Sequence, residues 1–180
     1  HWFLGAGMVH GVRLRGGKAE WYRNRSVAAT EGPSPNTSVG GFAGTTWAMV
    51  EAGTPPVELD YELASLGVNA FGGTLPNGFS AHPKYDPSTG ELHAMAYQWP
   101  DLIDHVQYVV VGGDGRVSKV VDVPVQDMPM IHDMSLTSTY ALVYDLPVTV
   151  NFDVMAEGYQ WPFAWAPDRA ARVGLLPRSG

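Results

Sequence analysis

The chain has 180 residues, enough for one domain with a buried core. Its net charge of −7 and the lack of any basic run argue against nucleic acid as a partner. There is no cysteine, which removes disulfides and thiolate metal sites and suits a reducing, cytoplasmic location, and no apolar run approaches the roughly 18 residues of a membrane helix.

With 21 glycines and 14 prolines, the composition favours short strands joined by tight turns over helices. Residues 8–15 set Val9, Val12 and Leu14 against His10, Arg13 and Arg15; Gly16-Gly17 then turns the chain, and 19–25 returns as the second arm of a hairpin. Residues 31–37 read as a loop. Residues 45–51 form an apolar run fit for a buried strand, closed by 53–56. Residues 58–66 are the one stretch that could hold a helical turn, and 69–77 is Gly-rich and irregular.

Residues 79–82 open the next strand, 86–90 read as a turn, and 91–98 continue as a strand. Residues 105–111 and 117–123, rich in valine, form the clearest hairpin, around Gly112-Gly113-Asp114-Gly115. Residues 130–136 and 140–146 make another pair, followed by a strand at 148–154. The aromatic segment 158–167 reads as a loop packed on apolar surface. Strand pairs in series with little helical signal predict an all-β fold, and periodicity alone leaves sandwich, barrel and propeller open.

Two stretches stand out: Phe79-Ser80-Ala81-His82-Pro83-Lys84-Tyr85-Asp86-Pro87 and Ile131-His132-Asp133-Met134-Ser135-Leu136-Thr137. Their histidines lie 50 residues apart (132 − 82), about one four-stranded propeller blade of roughly 40–50 residues. The two stretches resemble the "AHPK-x-D" and "HD-x-x-LT" motifs of the carotenoid cleavage oxygenases, a family that also holds stilbene-cleaving enzymes and the retinoid isomerase of the eye. The likeness keeps its order along the chain. Gly7-Met8-Val9-His10-Gly11-Val12 is similar to the family's "GMVH" hairpin, Asn36-Thr37-Ser38-Val39 to "NTNV", and Val50-Glu51-Ala52-Gly53 to its "EAG" turn. Phe71-Gly72-Gly73-Thr74-Leu75 and Tyr144-Asp145-Leu146-Pro147-Val148 complete it.

The resemblance implies a seven-bladed β-propeller, of which this chain would be two to three blades. It covers the first half of such an enzyme. Residues 1–180 are therefore expected to be a fragment of one catalytic domain, truncated at both ends, with the third and fourth metal histidines beyond Gly180.

By residue physics alone a lone histidine is more often an ordinary polar or core residue than a ligand. The resemblance implies otherwise for His82 and His132, as two of four Fe(II) ligands, with no catalytic residue beyond the metal site. Glu51 matches a family glutamate that accepts the outer ring N–H of the second histidine, here His132. Thr37 matches a threonine beside an open iron position. His10 matches a family position that is not a ligand and is read as structural. His1, His93 and His105 are read as surface residues. Met128, Met130 and Met134 flank His132, and at strand spacing core packing is the commoner role.

Three departures from the family pattern stand out. Phe3-Leu4-Gly5-Ala6-Gly7-Met8 replaces "FDGDGM", and Ser38 replaces the second Asn of "NTNV". Val50 stands where stilbene-cleaving members tend to carry a phenol-binding Lys. The implied function is oxidative cleavage of a carotenoid or apocarotenoid double bond by a non-haem Fe(II) dioxygenase, with an apolar polyene and O2 as partners and peripheral membrane contact for substrate uptake. A stilbene oxygenase, a retinoid-type isomerase and a non-catalytic propeller scaffold are the alternatives.

Overall fold

Two glycines set the first element. Gly16 and Gly17 take φ of 55° and 75°, and turn β1 (Met8–Arg15) back onto β2 (Lys18–Ser26) in an antiparallel pair. The structure, a computed structural model, describes residues 5–28, 34–97 and 103–179. His1, Phe3, Leu4, residues 31–33 and Gln98 lie outside the described residues.

Three antiparallel sheets follow, each starting from an edge strand. The first runs in order through β3 (Ser38–Phe42), β4 (Thr45–Met49), β5 (Val57–Leu59) and β6 (Ser65–Val68). The second runs through β7 (Lys84–Asp86), β8 (Glu91–Ala96), β9 (His105–Val111) and β10 (Val117–Pro124). The third begins with β11 (Met134–Leu136) and β12 (Tyr140–Asp145). The chain then makes β13 (Val148–Val150), helix α1 (Phe152–Ala156) and β14 (Phe163–Trp165), and returns in β15 (Arg172–Pro177) to pair with β12. Strands β13 and β14 pair with each other.

The middle sheet is covered on both faces. Alternate residues of β8 and β9, Leu92, Ala94, Ala96, Val109 and Val111, join Trp47, Met49, Phe71 and Phe79 in one core. The other parity, Met95, Tyr97, Val106, Tyr108 and Val110, joins Ile131, Met134, Ala141 and Val143 in a second. Period-2 alternation sends successive side chains to opposite faces, so a strand apolar at both parities is buried twice. Stacked sheets of this kind are what a propeller of successive blades requires.

The same parity corrects the reading of His93. It points with Met95 into the second core and is 2% exposed, with Nδ1 2.7 Å from the Tyr108 hydroxyl. Arg178, just beyond β15, reaches Asp86 and donates to the Thr137 carbonyl at 2.7 Å, tying the third sheet to the second. Burial first and Arg178 second hold the His93 pKa below its ordinary value.

Other expectations shift. Residues 58–66 hold no helical turn: Val57 and Leu59 bury beside Val9, Val27 and Ala48, which draws the segment into strands β5 and β6. The described helix instead begins within the expected 148–154 strand, of which only Val148–Val150 is strand, and runs on to Ala156. There the Asn151 side chain accepts from the Asp153 and Val154 N–H groups and starts a helical turn. Segment 158–167 contains β14, with Phe163 buried but Tyr159 and Trp165 exposed. Residues 79–82 precede their strand, which begins at Lys84.

Candidate metal centre

His82 and His132 each stand two residues ahead of the first strand of a sheet, β7 and β11 respectively. Burial places both loops. Phe79 and Ala81 sink into the first core and leave His82 at its edge, while Ser80 Oγ accepts the His82 N–H at 3.1 Å. Ile131 and Met134 sink into the second core, and His132 between them turns outward. Strand β11 packs against β7 and β8, so the two loops meet. The imidazole centroids are 4.5 Å apart, with planes at 49°.

Glu51 comes from the first sheet, two residues past β4. Its turn, with Ala52 at φ 57° and Gly53 at 107°, runs so close to the approach to His82 that a Cβ on Gly78 would lie 2.2 Å from the Gly53 oxygen. Glu51 Oε2 lies 2.5 Å from His132 Nδ1, and Glu51 Oε1 accepts from the Tyr97 hydroxyl. The carboxylate therefore holds the proton of His132 on Nδ1 and leaves Nε2 as the ring's lone-pair nitrogen. The Glu51 side chain is 11% exposed and that of His132 49%.

The donor set fits a metal ion. Ligand-capable atoms of Glu51, His82 and His132 all lie within 4.8 Å of one another. His82 Nε2 is buried with no hydrogen-bond partner, and a buried polar atom in that state wants a ligand. Burial first, then the neighbouring His132, lower the His82 pKa against the upward pull of Asp133 and Glu51. Both effects favour the neutral imidazole, the form that binds a metal. Burial and the Glu51 carboxylate raise the Tyr97 pKa, which keeps its phenol a donor. Imidazole nitrogens suit borderline divalent cations of the first transition row.

Four supporting residues were given no role by the sequence reading. Lys84 Nζ lies 2.8 Å from Asp133 Oδ1, so the segments just after the two histidines are themselves paired. Burial alone would raise the Asp133 pKa, but hydrogen bonds from Lys84 and the Met134 N–H outweigh it and hold it low. Ser38 Oγ donates at 2.5 Å to the carbonyl of Ala81, directly before His82. Tyr97 completes the set. Lys84 and Asp133 left a signal in the sequence as members of the two histidine motifs, and Ser38 as a departure in the "NTNV"-like segment; Tyr97 left none.

Thr37 immediately precedes β3, the first strand of the first sheet, one residue nearer its strand than His82 and His132 are to theirs. It is exposed, and its Oγ1 donates to Asn36 Oδ1 at 3.0 Å. Among the described residues no hydrogen bond or ring contact joins it to the histidines, and its neighbour Ser38 supplies the link to the His82 loop. His10 is exposed on β1, 6.2 Å from Tyr22 ring to ring. His105 is partly exposed between Asp104 at 2.6 Å and Asp122 at 3.6 Å. Met134 is core, with Met130 packed against it.

Residues 30–180 match the family model described as retinal pigment epithelial membrane protein. The chain belongs to that family. The likeness to carotenoid cleavage oxygenases drawn from the motifs holds: a carotenoid cleavage oxygenase of Mycobacterium tuberculosis is 40% identical over 240 aligned positions, covering 100% of this chain and 47% of that protein. Carotenoid 9,10(9',10')-cleavage dioxygenase 1 of Arabidopsis thaliana is 28% identical, covering 99% of this chain and 41% of its own length. Among solved structures, the lignostilbene dioxygenase of Pseudomonas brassicacearum superposes with a TM-score of 0.89 at 29% identity, over 99% of this chain and 43% of that one. The three stacked sheets are thus blades of this family's propeller. The chain spans somewhat under half the length of these relatives.

Proposed function

We propose that the protein is a non-haem Fe(II) dioxygenase that splits a C=C bond of a carotenoid or apocarotenoid. The observation that carries this reading is the meeting of His82 and His132 at 4.5 Å, with Glu51 behind His132 and His82 Nε2 buried without a partner. His82 and His132 would hold the iron as neutral imidazoles. Bound there, iron would make O2 reactive toward an electron-rich double bond, one oxygen atom going to each new carbonyl. Glu51 fixes the tautomer and direction of the His132 ring and raises its basicity. Lys84 and Asp133 hold the two ligand loops at a constant separation. Thr37, just ahead of the first strand of the first sheet, is assigned to the edge of the open iron position.

The substrate class follows from Val50 and from the relatives. Val50 is buried beside Glu51 and offers no hydrogen bond to a phenol. The relative at 40% identity carries a carotenoid-cleavage name. So apolar a substrate would be taken up from a membrane surface by a cytoplasmic, peripherally bound enzyme. A stilbene is the second reading, favoured by the lignostilbene dioxygenase that superposes so well.

The test is product analysis of the protein encoded by the full reading frame, loaded with Fe(II) and given an apocarotenoid under 18O2 in short incubations. Two carbonyl fragments, each with one labelled oxygen, are expected. One rearranged alcohol would assign an isomerase. An iron-loaded protein that turns over neither apocarotenoid nor stilbene would be a scaffold.

A further inference from the structure

We propose that Tyr97 is a positioning residue of the metal centre, acting through Glu51 on His132. The inference rests on the metal reading above and adds to it a residue that no motif marks. Tyr97 directly follows β8 in the second sheet and is 1% exposed. Its hydroxyl donates to Glu51 Oε1, while Glu51 Oε2 takes the His132 Nδ1–H at 2.5 Å. The hydroxyl–carboxylate–imidazole relay therefore takes one member from each of the three sheets. Glu51 lies just past β4 of the first, Tyr97 just past β8 of the second and His132 just ahead of β11 of the third.

The physical need is plain. A glutamate carboxylate turns freely about its last bond unless both oxygens are held. With only 11% of the Glu51 side chain exposed, water is a poor substitute for a lost donor, and an unpaired buried carboxylate oxygen is costly. Tyr97 fixes one oxygen and so aims the other at His132. A packing role alone needs only the ring. Tyr97 does pack in the second core beside Met95, Val106 and Ile131, and phenylalanine would fill that space equally well. The hydroxyl has a separate task.

Tyr97→Phe removes that hydroxyl and little else. The protein from the full reading frame is prepared in this form, loaded with Co(II) as a spectroscopic probe and with Fe(II) for affinity. Tyr108→Phe is the control, since Tyr108 is equally buried in the same sheet but its hydroxyl pairs with His93 and not with Glu51. Tyr97→Phe is expected to weaken metal binding roughly three- to tenfold, less than the 10–100-fold of a residue that bonds the ligand itself, and to shift the Co(II) d–d bands. Tyr108→Phe should leave affinity within about twofold and the bands in place while lowering the melting temperature. In a double variant with Glu51→Gln, the Tyr97→Phe loss should shrink, because the two act in series.

Unchanged bands and affinity in Tyr97→Phe, alongside a clear loss in Glu51→Gln, would reduce Tyr97 to packing and leave the dioxygenase reading intact. Equal band shifts in the Tyr97 and Tyr108 variants would also overturn the proposal, by showing a general loosening. A wild-type protein that binds neither metal would remove the metal reading itself and this proposal with it.

Discussion

Glu51→Gln replaces one oxygen by an amide nitrogen and removes a charge. Glu51 accepts from two donors, His132 Nδ1 and the Tyr97 hydroxyl. A glutamine amide accepts on one atom only, so one of its ends must face a donor with its own NH2. The Tyr97 hydroxyl can rotate and accept instead, whereas His132 Nδ1–H cannot. The relaxed variant therefore turns its oxygen to His132 and keeps a neutral hydrogen bond in place of a charged one. Charged hydrogen bonds contribute about 1.5–3 kcal/mol and neutral ones about 0.5–1.5 kcal/mol. The difference is about 1–2 kcal/mol, and loss of anionic support for the ligand ring adds to it. At about 1.4 kcal/mol per decade, the expected weakening of metal affinity is roughly 10–100-fold. Competitive titration of Fe(II) or Co(II) into wild type and variant measures it, with circular dichroism to show an intact fold. A change below about twofold would mean that the Glu51–His132 contact does not support the centre.

Three further outcomes are expected. The full-reading-frame enzyme should cleave an apocarotenoid faster than a 4-hydroxystilbene in a side-by-side assay, because buried Val50 provides no phenol donor; the reverse order would place such a donor elsewhere. Trp47→Ala should cost about 3–5 kcal/mol in denaturant unfolding, since Trp47 is 2% exposed and meets Phe71 edge-on at 4.9 Å; under about 1 kcal/mol would contradict the described core. His93 gives a pH signature: its folded pKa is depressed from 6.5 by burial and Arg178, so the unfolded chain takes up the proton first as pH falls. Its stabilising contribution is complete above about pH 6.5 and is lost as pH falls toward the folded value. His93→Gln should flatten the decline of melting temperature between pH 7 and 5, and an unchanged slope would show that His93 titrates as a surface group.

Much of the fold was legible because the turns carry their own chemistry. Gly16-Gly17 and the glycines at 112, 113 and 115 mark two hairpins whose strands fall within one or two residues of their expected bounds. Strands β6 and β15 were not legible, because their exposed, half-apolar patterns gain order only from β5 and β12 beside them. The helix at Phe152–Ala156 hid behind Val148, Val150 and Val154, which read as one strand until Asn151 caps a turn. His93 was misread for a related reason. Leu92 to Tyr97 is apolar at both parities except for that histidine, and a strand covered on two faces leaves no solvent side for it.

At the candidate metal centre, the motifs singled out His82, His132 and Glu51, and the structure brings those three together. Tyr97 was invisible, and Ser38 was noticed only as a departure, because their roles depend on contacts between residues 46 and 43 positions apart in sequence. Chain-local patterns carry strand and turn information. A contact between blades is set by stacking and leaves no local period.

The measurement that bears most directly on this account is the metal content and turnover of His82→Ala and His132→Ala, made in the protein from the full reading frame and purified beside wild type. The account predicts that wild type carries stoichiometric iron and cleaves its polyene, while each variant loses most of the iron and the oxygenase activity and keeps the same circular dichroism spectrum. Normal iron content and normal turnover in both variants would contradict it.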